Sequence, residues 1–203
     1  MMSIRIIKQH YYASKSVAGV NGTYDVLFWE IELDTPLTES DEFKKQLFRN
    51  DIWEQGAPNR LCYTTGMSSI LDATVSISDE HMSQFIQTAA DAGHLFSFRW
   101  FLGAEYYSKH AATHTMTKLF KDLPGLNMDT HLDNSHIMLQ SIINLTDNDV
   151  GTELFSIDSD KPIYTMTGKR NRGIMFFNSP GALHRIKNVT KERYIFYSAI
   201  TRD

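Results

Sequence analysis

The second half of this chain reads as a series of short β-rich segments separated by turn signals. Apolar and β-branched runs recur, and clusters of Asp, Asn, Ser, Pro and Gly interrupt them. Several short strands at this spacing are typical of a β-sandwich or jelly roll. The predicted strands cover residues 138–145, 152–157, 163–167, 173–177, 186–189 and 193–200.

The first half mixes strand and helix signals. Strands are predicted over 4–12, 24–33, 60–65 and 94–102. A capping-box pattern at 38–41 predicts a helix to about residue 53, and further helices are predicted over 78–93 and 104–123. We expect these helices to pack outside a β core. The chain is thus predicted to be one mainly β domain, 1–203, with a support region over 1–124 and the β core over 125–203.

Composition excludes several functional classes. Apolar residues make up 42% of the 203 residues, charged residues 22%, and the net charge is −4. This charge gives no bulk attraction to nucleic acid or an anionic membrane. The one cysteine, Cys62, cannot form an intramolecular disulfide and fits a reducing compartment. No membrane span or signal-peptide core is evident, so a cytoplasmic enzyme or binding domain is predicted.

Three residues of the β-rich half have the chemistry of a metal site. His131 and Asp133 are two positions apart, so in an extended strand they point to the same side. His184 follows near the end of the same half, after a Pro-Gly turn. Two imidazoles and one carboxylate form the ligand set of non-haem Fe(II) oxygenases. For an isolated H-x-D tripeptide, the alternative is a surface loop without a ligand.

Other histidines compete for the ligand role. His136 could replace His131, although a polar residue in the loop before a strand is the favoured interpretation. His110 and His114 are four apart on a predicted helix and would share a face. A zinc protease needs Glu after the first of such a pair, and Ala111 stands there. We therefore expect His131 to be the ligand and His136 not to be.

Arg193 follows His184, the later of the two candidate histidine ligands, by nine positions. Arg193 opens the last predicted strand and alternates with Ile195 and Tyr197, so the three side chains should share a face. Its guanidinium fork suits a carboxylate bound in the same cavity as the candidate metal site. The alternative is a surface cation on an edge strand, which fits less well with apolar neighbours on the same face.

About residues 125–203 resemble the iron(II)- and 2-oxoglutarate-dependent dioxygenases, in particular the prolyl-hydroxylase-like branch. The shared pattern is H-x-D, an apolar strand, a Gly-containing turn into a second strand, a G-x-x-x-F strand, the distal His, and an Arg nine or ten residues later. It is carried by residues 130–133, 141–145, 151–154, 173–177, 184 and 193–194.

The resemblance implies a double-stranded β-helix, a cupin-like jelly-roll barrel. It implies that His131, Asp133 and His184 hold Fe(II), and that Arg193 pairs with the distal carboxylate of the cosubstrate 2-oxoglutarate. Asn144 stands where relatives often place a Tyr, and could hydrogen-bond the same carboxylate. A solvent-facing Asn144 is nearly as well supported.

The activity implied is O2-dependent hydroxylation of a substrate carbon, with conversion of 2-oxoglutarate to succinate. By analogy the first substrate candidate is a peptide or protein side chain, with proline foremost, and a small molecule ranks close behind. The charge gives a nucleobase no support. The aromatic and basic residues of 99–107 could line a substrate groove, although core packing is favoured. Two alternatives stay open: a non-enzymatic jelly-roll binding or structural domain, and a cupin-like metal enzyme without 2-oxoglutarate.

Besides Asn144, this sequence departs from the family at two further points. Ile195 stands where some relatives have Ser, and the family's double Gly is reduced to Gly151. A second partner for the cosubstrate carboxylate must therefore come from elsewhere. The presence of Asp133 disfavours the halogenase variant, which leaves that position open for chloride.

Overall fold

The computed structural model describes residues 4–14, 25–33, 53–63, 114–134, 136–178 and 181–201, and all of its regular elements there are strands. This part of the chain holds no helix with the length and apolar character that a membrane span requires. The strands are β1 (Ile4–Tyr12), β2 (Val26–Leu33), β3 (Glu54–Ala57), β4 (Arg60–Tyr63), β5 (His114–Asp122), β6 (Met128–His131), β7 (Ile137–Asn144), β8 (Glu153–Phe155), β9 (Tyr164–Thr165), β10 (Arg172–Phe177), β11 (Leu183–Ile186) and β12 (Arg193–Thr201).

The strands form two antiparallel sheets. The major sheet has eight strands in the order β1-β2-β10-β7-β12-β5-β4-β3, and the minor sheet has four in the order β6-β11-β8-β9. Strands from before residue 124 flank both sides of the β10-β7-β12 centre. The first half therefore contributes directly to the sheet, rather than only supporting it from outside.

A hydrophobic core lies between the two sheets. Phe28, Ile174 and Phe176 of the major sheet pack in one cluster with Leu154 of the minor sheet. The opposite face of the major sheet is buried as well, as Trp29 at 0% exposure shows. Strands buried on both faces read as continuous apolar runs instead of alternating ones, as the central segments of this sequence do.

One predicted element is wrong. The helix predicted over 104–123 cannot extend through its last residues, because His114–Asp122 form β5. That segment hydrogen-bonds to β12 on one side and β4 on the other, so tertiary pairing overrides its local helical pattern. Residues 104–113 lie outside the described part. So do the helices predicted before residue 104 and the strand at 94–102, apart from Trp53, which precedes β3 without being helical.

The remaining predictions of strands are largely confirmed. The segments at 4–12, 24–33, 60–65, 138–145, 152–157, 163–167, 173–177 and 193–200 each overlap an observed strand. The strand predicted at 186–189 lies earlier, at Leu183–Ile186, and β3 and β6 were not predicted. Both missed strands have four residues, too few to show a clear alternation.

The central strands β10 and β7 lie very close together at Gly173. A Cβ at this position would overlap the carbonyl oxygen of Ile142 on the neighbouring strand β7. Gly173→Ala should lower the free energy of unfolding by about 1–3 kcal/mol, because overpacking displaces the backbone. Urea unfolding measures the change.

The matched control is Gly56→Ala in the edge strand β3. There the nearest atom to an added Cβ lies at 3.4 Å, an ordinary contact. We expect that substitution to change stability by less than about 1 kcal/mol in either direction. Equal losses in both variants would contradict the close approach at Gly173.

Candidate metal centre and cavity

Backbone pairing places two histidines opposite each other. His131 is the last residue of β6, and His184 on β11 is its direct antiparallel partner. Directly opposed residues in an antiparallel pair project their side chains to the same face. The two imidazole rings accordingly lie side by side, with 4.4 Å between their centroids.

Asp133 follows β6 by two residues and turns its carboxylate towards both rings. Its Oδ1 lies 3.9 Å from Nε2 of His131, and its Oδ2 lies 3.6 Å from Nε2 of His184. One ligand atom from each of the three side chains lies within 4.8 Å of the others. The structure thus brings together the three residues singled out in the sequence.

The surroundings of both imidazoles suit metal coordination. Nδ1 of His131 lies 2.6 Å from the carbonyl oxygen of Asp129, so Nδ1 donates this hydrogen bond and Nε2 is the nitrogen on the side of Asp133. Burial lowers the pKa of His184 to about 4; the charge of Asp133 opposes this shift, and that of His131 adds to it. His184 is therefore neutral near pH 7, as a metal ligand must be.

A buried amide holds the loop that carries Asp133. Asn178, just after β10, is 5% exposed. Its Nδ2 lies 3.3 Å from the carbonyl oxygen of Asp133, 3.1 Å from that of Asn134 and 3.2 Å from that of Ile137. These contacts tie the residues after β6 to the major sheet. In the sequence Asn178 stands in the turn-rich segment before His184, and its residue type there gives no sign of this positioning role.

A cavity of about 320 Å³ lies beside the three residues. Its wall includes His131, Asp133 and His184, together with side chains from β5, β7 and β12 of the major sheet. His136 also reaches the wall, but it is exposed and is not part of the His-Asp-His cluster. The cavity thus gives a small molecule access to the cluster from between the sheets.

Arg193 lies in this cavity wall and is almost completely buried, with 1% exposure. Ile195 and Tyr197 line the same cavity, as strand alternation predicted. The alternative of a surface cation is therefore wrong. Burial lowers the pKa of Arg193; the charge of Asp122 opposes this shift, and that of Arg60 adds to it.

A buried aspartate joins Arg193 to a second arginine. Nε of Arg193 donates to Oδ2 of Asp122 at 2.8 Å, and Asp122 is 0% exposed. Arg60 donates to the same carboxylate through Nε to Oδ1 at 2.6 Å and through one terminal nitrogen to Oδ2 at 3.0 Å. Arg60 also lines the cavity. Two guanidinium groups share one carboxylate, so this end of the cavity keeps one positive charge in excess.

One donor of this charge cluster is left over. Nη1 of Arg193 is buried and has no hydrogen-bond partner. An unsatisfied buried donor of a charged group is costly, and a ligand carboxylate would satisfy it. The donor set therefore fits a carboxylate-bearing ligand at this end of the cavity and a metal at the other.

Asn144 does not have the surroundings expected of a carboxylate-binding residue. It is fully buried, so the solvent-facing alternative is wrong. Its Nδ2 donates to the carbonyl oxygens of Thr167 at 2.8 Å and Lys169 at 3.4 Å. Its unpartnered atom is Oδ1, an acceptor, which cannot bind a carboxylate. These contacts point to a role in holding the 167–169 loop.

Asp122 and Arg60 were missed in the sequence for different reasons. The sequence pattern places Asp122 in a helix, and in a helix its alternation with Lys118 and Phe120 does not indicate a shared face. Arg60 opened a predicted strand but had no recognisable partner. The strand register supplies the link, because Asp122 pairs with Arg193 on one side and with Arg60 on the other.

The competing zinc pair is not supported by the backbone. His114 is the first residue of strand β5, so it does not stand on the helix that would align it with His110. His110 lies outside the described residues, as does the aromatic and basic group at 99–107.

Several solved structures share this fold, among them two prolyl hydroxylases. A prolyl-4-hydroxylase from Pseudomonas putida superposes with a TM-score of 0.55 and 12% sequence identity, covering 86% of this chain and 92% of that one. A prolyl hydroxylase from Trichoplax adhaerens superposes with a TM-score of 0.56 and 14% identity, covering 86% and 83%. The latter was solved with a peptide fragment of the oxygen degradation domain of hypoxia inducible factor.

These neighbours define the class of fold. The sequence itself matches no family model and no curated protein. The protein has the double-stranded β-helix fold found in 2-oxoglutarate oxygenases of the prolyl-hydroxylase type. The predicted fold class is therefore confirmed for the β core. Of the predicted flanking helices, the one over 104–123 is wrong in its last residues, and the others lie, apart from Trp53, outside the described residues.

Removing the shared carboxylate should be costly. Asp122→Ala would leave Arg60 and Arg193 as like charges without a counterion, one of them fully buried. We expect a loss of about 3–5 kcal/mol in the free energy of unfolding, measured in urea. The control is Glu192→Ala, since the side chain of Glu192 is 50% exposed where it pairs with Lys121. That loss should stay within about 1 kcal/mol, and equal losses would contradict the role of Asp122.

Proposed function

We propose that this protein is an Fe(II)- and 2-oxoglutarate-dependent dioxygenase. The observation that carries the proposal is the convergence of His131, Asp133 and His184 within 4.8 Å at the wall of a cavity that also contains Arg193. The fold shared with two prolyl hydroxylases supports it. The same proposal takes residues 1–203 as one domain, since strands from before and after residue 124 share the major sheet.

Each residue of the cluster has a distinct task in this proposal. His131 and His184 bind Fe(II) through Nε2, and Asp133 supplies the anionic ligand. Two imidazoles and one carboxylate leave coordination positions open for cosubstrate and O2. The chemistry that the metal and 2-oxoglutarate supply when bound is hydroxylation of a substrate carbon by O2, with release of succinate and CO2. Asn178 keeps the backbone of Asp133 in place.

The arginine end of the cavity is proposed to receive the distal carboxylate of 2-oxoglutarate. Arg193 offers its free Nη1, and Asp122 holds its Nε so that the fork keeps one orientation. Arg60 adds the second positive charge. Together they replace the Ser and Tyr donors of relatives, whose positions hold Ile195 and Asn144 here.

The substrate is proposed to be a peptide or protein side chain, with proline the first candidate, or a small molecule. Support for a peptide comes from the Trichoplax enzyme, which was solved with a peptide fragment. The rival functions are a structural or binding jelly roll and a metal enzyme that does not use 2-oxoglutarate. They differ from the proposal in what the cavity binds.

An anaerobic titration tests the proposal. Fe(II) followed by 2-oxoglutarate should produce a metal-to-ligand charge-transfer band at one equivalent of iron. His131→Ala should abolish the band and iron binding, because it removes one of three ligands. His136→Ala is the matched control and should leave iron affinity nearly intact.

The rivals give other results. A structural or binding domain would bind no stoichiometric Fe(II). A metal enzyme without cosubstrate would bind Fe(II) but form no band with 2-oxoglutarate. If His136→Ala abolished binding and His131→Ala did not, the ligand assignment would be wrong.

Arg193→Ala tests the cosubstrate end. Loss of a charge-assisted hydrogen bond in a partly dry cavity should raise the 2-oxoglutarate concentration for half-saturation of the band by tens-fold or more. Iron affinity should stay as in the wild type, and Arg193→Lys should recover part of the loss. Arg185→Gln is the control, because Arg185 lines the same cavity but is paired with Glu153. An unchanged half-saturation in Arg193→Ala would remove Arg193 from the site.

A further inference from the structure

The cavity wall has polar side chains beyond those that the proposed function uses. Lys118 on β5 and Gln140 on β7 both line it. They lie on either side of β12, where Lys118 pairs with Tyr197 and Gln140 pairs with Ala199. From strand spacing, their backbones are roughly 12 Å apart, the span of a small molecule. Arg193 lies further along β12, towards the other end of the cavity.

Gln140 is an unsatisfied buried amide. It is 0% exposed, and neither its Nε2 nor its Oε1 has a hydrogen-bond partner. Leaving both a donor and an acceptor of a buried side chain unpaired costs stability, whereas an apolar residue of similar size would cost none. A ligand group that both accepts and donates, such as an amide, would satisfy both atoms.

Lys118 is a cation of the cavity wall without a counterion in the described part of the chain, unlike the three arginines that line the same cavity. Arg185 is paired with Glu153, and the excess charge of Arg60 and Arg193 is assigned to the cosubstrate carboxylate. Among the described residues, Lys118 has no ion pair or hydrogen bond, although it is partly buried. A cation facing a cavity without a counterion favours an anionic ligand.

The wall between these two groups is apolar or neutral. Ile142 and Tyr197 occupy the intervening positions of β7 and β12, and both line the cavity. Burial raises the pKa of Tyr197, and the charge of Asp133 acts in the same direction, so the phenol stays neutral. A ligand reaching from Lys118 to Gln140 would thus pass an uncharged surface close to Asp133.

We propose that the substrate is a carboxylic acid that also carries an amide, with the carboxylate bound by Lys118 and the amide held by Gln140. This inference rests on the proposed function and specifies its substrate class. N-acylated amino acids and the terminal residue of a peptide both have this chemistry. A carbon between the two groups would be held beside Tyr197, within reach of the His-Asp-His cluster.

Binding to a redox-inert form of the protein tests the inference. The protein is loaded with Mn(II) and 2-oxoglutarate, and two probe sets are titrated by calorimetry: N-acetyl amino acids and the corresponding N-acetyl amino acid amides. At least one acid should bind tenfold or more tightly than its neutral amide. A dipeptide series with free or amidated C-termini distinguishes a peptide end from a free acylated amino acid.

Variants assign the preference to residues. Lys118→Met should remove the preference for the acid, a loss of about tenfold or more, since a hydrogen bond to a charged group is lost. Lys121→Met is the matched control on the same strand, paired with Glu192, and should keep the preference. Gln140→Leu should weaken acid and amide alike, and Gln140→Glu should weaken the acid more than the amide.

Three results would overturn the inference. The first is that wild-type protein binds the acids and their amides equally tightly, or binds neither. The second is an unchanged preference in Lys118→Met. The third is a rise in the half-saturation for 2-oxoglutarate in Lys118→Met like that in Arg193→Ala, which would assign Lys118 to the cosubstrate. The iron and 2-oxoglutarate band of the wild type separates these failures from failure of the proposed function, which would remove the band itself.

Discussion

The pairing of β6 with β11 is the contact on which the candidate site depends. It aligns His131 with His184, two residues that are 53 positions apart in the chain. Both strands have four residues, so their own hydrogen bonds are few. The minor sheet keeps its place because Leu154 and the major sheet share one apolar core. The burial that stabilises the fold thereby also holds the two imidazoles together.

The opposite end of the cavity is organised by charge instead of apolar packing. Asp122 accepts hydrogen bonds from two arginines while fully buried. Such a cluster contributes little net stability compared with apolar residues, because desolvation of the charges offsets their attraction. Its value lies in orientation: the guanidinium of Arg193 is held by one nitrogen and keeps another free. The cost in stability is thus associated with a fixed orientation of this guanidinium group.

The cavity between these two ends combines unmatched polar groups with a neutral wall. Gln140 and Lys118 have no partners among the described residues, while their neighbours Ile142 and Tyr197 are uncharged. Gln140 leaves both the donor and the acceptor of a buried amide unsatisfied at the cavity wall, which favours a ligand that matches both atoms. Their distance from Arg193 separates the group that would hold a cosubstrate from those that would hold a substrate.

Much of the β core was predictable because its signals are local. Short apolar runs between turn residues mark a strand wherever it pairs, and H-x-D with a distal His and Arg retains its order in the chain. Local signals failed at β5. Its sequence has a helical pattern, but hydrogen bonding to two neighbouring strands makes it a strand. They failed also for Asn144, whose burial and contacts with the 167–169 loop depend on how that loop folds back.

The sequence by itself determined which residues are candidates for the proposed chemistry: His131, Asp133, His184 and Arg193 are singled out by residue type, order, alternation and family resemblance. Only the tertiary structure decided their partners. The register of the strands pairs Asp122 with Arg193 on one side and with Arg60 on the other. Asn178, at the end of β10, donates a hydrogen bond to the backbone of the loop that carries Asp133. Register and loop closure depend on contacts between distant segments, and a periodicity read along the chain carries no information about them.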